Sequence, residues 1–247
     1  MLFFLKVANG SYHPQALFFN SAITVYSCCN LGGYKSDRSF RLGVRKCLGG
    51  YFFIAGLVFT LGKFPLSRVS YTLIFIFLFL HEIGSHYTYA LVPYDDWFKS
   101  LTGSTLNSIL GFERNHFDRL VHLCYGLLLA YPIREVFIRI ANVRGFWSYF
   151  LPLDLTMSTS MIYELVEWAV AELFGGELGA AYLGSQGDIW DAHKDMGLAS
   201  LGAFIAMAIV AFINIRLQRG FSHEWNESLS IKHTRPLGED EIERMMK

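Results

Sequence analysis

Ionisable residues that could do chemistry fall in four short stretches of the sequence, each at helical spacing. HEIGSHYTY holds Glu82 and His86 four residues apart, which stacks them on one side of a helix and turns His81 away. HFDRLVH repeats that spacing with Asp118 and His122, and adds Arg119. YELVEW carries Glu164 and Glu167 three apart. GDIWDAHKDM carries Asp188, Asp191 and Asp195 as a three-and-four stripe beside Lys194, with His193 pointing the other way. Imidazole and carboxylate donors in this pattern suit a divalent metal such as zinc, manganese or iron. The expected ligands are Glu82, His86, Asp118, His122 and Asp195. Glu164 or Glu167 would then be the acid/base that activates metal-bound water. His81, Arg119, Asp188, Asp191 and Lys194 make up a secondary polar cluster. Dimetal carboxylate bundles use related logic, but their repeated Glu-x-x-His signature is absent.

Charge arithmetic sharpens the expectation. Glu82, Asp118, Glu164, Glu167, Asp188, Asp191 and Asp195 face only Arg119 and Lys194 as nearby fixed cations. A partly dehydrated cluster with that excess must hold protons, bind a cation or open to water.

The elements that must position these groups read as membrane helices. The chain has 247 residues, 53% hydrophobic and 17% charged, with a mean hydropathy of +0.32. Lys plus Arg and Asp plus Glu number 21 each, so bulk charge points to no nucleic-acid partner. Cys28, Cys29, Cys47 and Cys124 have neither disulfide-framework nor zinc-finger spacing. No cleavable signal peptide is evident.

Five segments suffice to cross a bilayer, which takes about 20 helical residues: Cys47–Phe64, Val69–Val92, Phe117–Ile138, Tyr149–Phe174 and Ile189–Leu217. Ala16–Leu31 is a weaker sixth. The expected fold is an all-α polytopic transmembrane bundle over residues 47–217. An atypical N-terminal region, 1–46, precedes it, and a polar, solvated tail, 218–247, follows. All four polar stretches then reach the same membrane face.

Arg134, Arg139, Arg144, Arg216 and Arg219 collect at the opposite face. The positive-inside rule makes that face cytoplasmic, together with the C-terminal tail. Lys35, Arg38, Arg41, Arg45 and Lys46 oppose the assignment from before the first span.

HEIGSHYTYALVPYDDW, ERNHFDRLVHLCYGLLLAYPIRE, YELVEW and GSQGDIWDAHKDM resemble the YjdF-like family of bacterial inner-membrane proteins, whose function is uncharacterised. The resemblance covers about residues 66–213 and implies a multi-pass inner-membrane protein. A looser similarity is to VanZ-like membrane proteins, with Asp118, Arg119, His122, Glu164, Glu167 and Asp191 or Asp195 at corresponding motif positions. It implies architecture only, since Glu167 stands where that family has Gln.

Blander roles compete with these. Buried polar groups can be interhelical glue, Glu164 and Glu167 can pair with Arg119, and Asp188 and Asp191 suit a helix N-terminus. Function therefore divides three ways. One is a metal-dependent enzyme on a lipid or envelope-derived substrate. The others are an ion- or proton-coupled transporter and a non-enzymatic structural protein of the lipid bilayer.

Overall fold

The computed structural model describes residues 64–174, 185–232 and 238–247. Among the described residues the fold is helical, without strands. Its helices are α1 (Arg68–His86), α2 (Tyr94–Thr102), α3 (Leu106–Leu110), α4 (Phe117–Ala141), α5 (Trp147–Phe174), α6 (Asp191–Leu217), α7 (Phe221–Ser228) and α8 (Glu239–Met245). Helices satisfy every backbone group internally, which a lipid environment demands.

Of the described helices, α1, α4 and α6 are long and apolar enough to cross a membrane. Helix α5 has the length, 28 residues, but Asp154, Glu164, Glu167 and Glu172 interrupt its apolar run. The expected span Cys47–Phe64 and the weaker Ala16–Leu31 lie outside the described residues, apart from Phe64.

Helix α4 is the hub. It packs most extensively on α6, and also on α1 and α5, while α5 packs on α6 in turn. Helices α1 and α5 run antiparallel to α4, whereas α4 and α6 run parallel, and the helix ends are tied by polar contacts. Glu135, late in α4, accepts hydrogen bonds from the Ser67 N–H at 2.8 Å and the Ser70 hydroxyl at 2.5 Å. Arg139 donates to Glu135 and to the Pro65 carbonyl. The start of α1 is thereby anchored to the end of α4.

Nearby, Asn214 donates to the Tyr149 hydroxyl at 2.8 Å. The Gly145 and Phe146 N–H groups ahead of α5 donate to Glu224 and Ser228 of α7. Helix α7 therefore supplies from another segment the cap that α5 would otherwise need. Within the tail expected to be solvated, α7 lies against this stretch, while most other described tail residues are exposed. Phe221 and Trp225, four residues apart, form an apolar edge that packs on Tyr149 and its neighbours.

The α4–α6 contact is made of small residues. Ala130, Ala199 and Ala203 are fully buried, and Gly126 and Gly202 each face the partner's backbone. A Cβ at Gly126 would strike the Ala199 carbonyl, and one at Gly202 the Leu123 carbonyl. Small residues spaced by four let helix axes approach closely in lipid, where van der Waals contact drives association.

The span expected over Val69–Val92 stays helical only to His86. The Tyr87 N–H bonds back to the Ile83 carbonyl, and Thr88 and Tyr89 take left-handed φ values of 59° and 54°. Gly84 leaves room for the Tyr89 ring, which a Cβ there would displace, and the Tyr89 hydroxyl lies 2.7 Å from His81 Nδ1. The chain thus reverses over its own last turn.

The seam makes a specific demand. Gly126→Ala is expected to lower stability by about 1–3 kcal/mol in unfolding titrations in mixed micelles, because backbone must move to admit the methyl. Gly197→Ala, at an exposed helical site with nothing within 4 Å of its Cβ position, should be neutral or gain up to about 1 kcal/mol. Equal effects at the two sites would contradict the close-approach argument.

Candidate metal centre

Two i, i+4 rows on facing helices run upward from the small-residue seam into polar chemistry. On α4 the row is Ala130, Gly126, His122, Asp118, and on α6 it is Ala203, Ala199, Asp195, Asp191. Because the lower members interlock, the upper ones meet. Asp118, His122 and Asp195 each place a donor atom within 4.8 Å of the others, a group that could hold a metal ion.

His122 Nε2 is 3.7 Å from Asp118 Oδ1 and 3.5 Å from Glu164 Oε1 on α5. The imidazole is buried, and Tyr163 stands edge-on to it at 5.9 Å between ring centres. Asp195 is 3% exposed. Its Oδ1, like Glu164 Oε1 and Glu82 Oε1, is buried without a hydrogen-bond partner. The Glu164–His122 approach is close enough for charge attraction but lacks hydrogen-bond geometry. Buried polar atoms are rarely left unmatched, and such orphans call for an ion, water or proton.

The stripe on α6 is split by depth. Asp195 joins the inner group, whereas Asp188 and Asp191 belong to an ion-pair layer nearer the helix ends. Arg119 Nη2 lies 2.5 Å from Asp188 and 3.4 Å from Asp191, and Lys194 reaches Asp188 at 2.6 Å. Arg114 bonds Asp191 and the Ser185 carbonyl. An open cleft of about 460 Å³ lies against this layer, lined among others by Phe112, Arg114, His116 and Arg119, and does not include the inner group.

The other expected residues are not members of the converging group. His81 is engaged by Tyr89. His86 lies edge-to-face with Tyr87 at 4.8 Å. Glu82 is partly buried on α1, and Glu167 is on α5 one turn from Glu164. Neither Glu82 nor His86 is among the three whose donors converge.

Sequence reasoning passed over two participants. Arg114, just ahead of α4, is not among the residues singled out by helical spacing, yet it pairs with Asp191. Tyr163 was visible as the first letter of YELVEW. Small-xxx-small spacing at Gly126/Ala130 and Ala199/Ala203 would have signalled which faces meet.

Electrostatics outside the spans follow the ion-pair layer. The Lys194 ammonium, the Trp190 N–H and Arg119 hold the Asp188 carboxyl well below the usual range. Burial, and then the Arg119 and Arg114 charges, push His116 below the ordinary histidine value, consistent with Arg119 lying 3.2 Å from its Nδ1.

A buried imidazole–carboxylate group at one end of a lipid-compatible helical bundle defines a polytopic membrane protein with a cation-competent polar centre. The chain belongs to the family described as predicted membrane protein (DUF2238), whose family model matches residues 22–216. It is 37% identical over 166 residues to the inner membrane protein YjdF of Escherichia coli (strain K12), covering 67% of this chain and 75% of that protein. The family match takes in residues 22–46 of the stretch read above as atypical. The looser VanZ-like likeness is not among these matches. No solved structure matches.

The His116 shift has a sign. An imidazole whose proton affinity is depressed by folding contributes stability above about pH 6.5 that is lost as pH falls, because the unfolded chain protonates first. His116→Gln is expected to make the loss of stability between about pH 6.5 and pH 5 shallower, measured by unfolding titrations in detergent across that range. An unchanged slope would count against the arginine-flanked environment.

Proposed function

We propose that Asp118, His122 and Asp195 bind a divalent cation and that the protein is a metal-dependent membrane enzyme acting on a lipid or envelope-derived substrate. The observation that carries this reading is the convergence of the three donors to within 4.8 Å while Asp195 Oδ1 and Glu164 Oε1 are buried without partners. Two carboxylates and an imidazole form a mixed oxygen–nitrogen set that suits zinc, manganese or iron. Three protein ligands also leave a position open for water, as catalytic sites require.

Glu164, 3.5 Å from His122, is placed to take a proton from that water, and Glu167 one turn away is the alternative acid/base. Glu82 and His86 have no ligand role in this arrangement. Arg114, Arg119 and Lys194 pair with Asp188 and Asp191, while Asp195 Oδ1 and Glu164 Oε1 have no hydrogen-bond partner among the described residues. A reading as a proton or ion relay draws on the same orphan carboxylates, since Glu82, Glu164 and Asp195 would then be its stations.

Metal analysis of detergent-purified protein decides between them. About one zinc, manganese or iron ion per chain is expected in wild type. His122→Ala and Asp195→Asn should lose it, while Glu164→Gln retains it. Wild-type protein that stays metal-free after dialysis against each ion would end the metal reading. Ion or proton flux in liposomes, abolished by Asp195→Asn, would then install the relay.

The same reading takes five spans and places the loop before α4 outside the cytoplasm and the tail inside, supported by the Arg134, Arg139 and Arg144 cluster at the other end. A fluorescent-protein fusion after Lys247 should glow and an alkaline phosphatase fusion there should be inactive. The opposite pair of results would invert the topology.

A further inference from the structure

The α2–α3 hairpin presents an apolar surface that its own packing cannot bury. In α2, Tyr94, Trp97, Phe98 and Leu101 share one side, and Asp95, Asp96, Lys99 and Ser100 occupy the other. Leu101 is 85% exposed, and Ile109 in α3 is 60% exposed, with Trp97 and Phe112 also open.

The hairpin's internal bonds hold these residues outward. Asp95 accepts from the Asn107 N–H at 2.9 Å, and the Tyr94 hydroxyl donates to Asn107 Oδ1 at 2.6 Å and accepts from the His116 N–H at 3.0 Å. Left-handed glycines, Gly103 at φ 83° and Gly111 at φ 70°, close the two turns. The apolar side therefore cannot roll inward without breaking this network.

The surface is continuous with the lipid-facing surface of the bundle. Trp97 meets Tyr87, the residue that ends α1, edge-to-face at 5.9 Å. Exposed Leu120 at the start of α4 and Ile189 and Trp190 before α6 add apolar surface at the same end of the bundle. A short amphipathic helix with a tryptophan on its apolar side and a lysine beside it, joined to a membrane span, fits the boundary between headgroups and acyl chains.

We infer that the α2–α3 hairpin lies in the interfacial layer of the bilayer, with Trp97, Leu101, Ile109 and Phe112 immersed among the lipids. The occupant of the exposed surface is lipid rather than a protein partner or a second copy. The inference stands whether or not the inner group binds a metal. Its consequence is positional, since Phe112 also lines the cleft beside Arg114, His116 and Arg119. That cleft then opens at the depth of the headgroups.

Two measurements on full-length protein in phosphatidylethanolamine–phosphatidylglycerol vesicles test it. Nitroxide labels on single cysteines at Leu101 and Ile109, with Cys28, Cys29, Cys47 and Cys124 changed to serine, should collide several-fold more with oxygen than with a nickel chelate, relative to labels at Asp96 and Ser100. Lipids brominated near the headgroup should quench wild-type fluorescence more than that of Trp97→Phe in an otherwise native chain. Labels at Leu101 and Ile109 as open to the nickel chelate as those at Asp96 would place the hairpin in water. Labels shielded from both reagents would place it under protein. Either result overturns the inference, as does quenching unchanged by Trp97→Phe.

Discussion

The closeness of α4 and α6 governs the rest of the structure. Lipid exerts no hydrophobic pressure between helices, so two spans stay together through contact area and the polar groups they share. Gly126 and Gly202 remove the side chains that would hold the axes apart, and Ala130, Ala199 and Ala203 fill what remains. The i, i+4 geometry that aligns these small residues also aligns Asp118 and His122 with Asp195 two turns higher. The polar group converges because the seam below it does, and Glu164 joins because α5 packs on both partners.

Depth then sorts the charges. Near the helix ends, three cations, Arg114, Arg119 and Lys194, surround Asp188 and Asp191, and each acid finds a partner. Beside this layer, with Asp195 one turn further in than Asp191, the carboxylates of Asp118, Asp195 and Glu164 approach a single imidazole, and two of the three present an oxygen with no hydrogen-bond partner. Like charges so close in a weakly polarisable interior cannot all remain ionised without a counter-ion. The outer layer can be understood as structure alone. The inner one leaves oxygens of Asp195 and Glu164 for an ion, water or proton to satisfy.

The opposite end of the bundle offers a contrast. Glu135 accepts from Ser67, Ser70 and Arg139, Glu224 and Ser228 cap the turn before α5, and the Arg134 guanidinium rests over Tyr149 at 4.5 Å while bonding Ser148. These contacts join α1 to α4 and α7 to α5. The carboxylates of Glu135 and Glu224 are hydrogen-bonded at this end, whereas Glu164 and Asp195 each keep an unmatched oxygen at the other.

Much of this was legible in the sequence. Long apolar runs around Phe117 and Asp191 announce helices because backbone in lipid has few other options. Four-residue spacing put Asp118 with His122 because it is a property of one helix, and it marked Asp195 as deeper than Asp188 for the same reason. Helical periodicity does not say which face meets which neighbour, however. Glu82 and His86 had the same spacing as Asp118 and His122, but α1 packs chiefly on α4 alone and brings neither into the closed group. The reversal after His86 depends on Tyr89 folding onto Gly84 and His81, and α7 turns back because a cap and an apolar shelf exist on α5. Local covalent geometry thus determined the helices and the rows of polar residues along them. Only packing between helices, set by where glycine permits backbones to touch, decided which rows meet and which charges are left without partners.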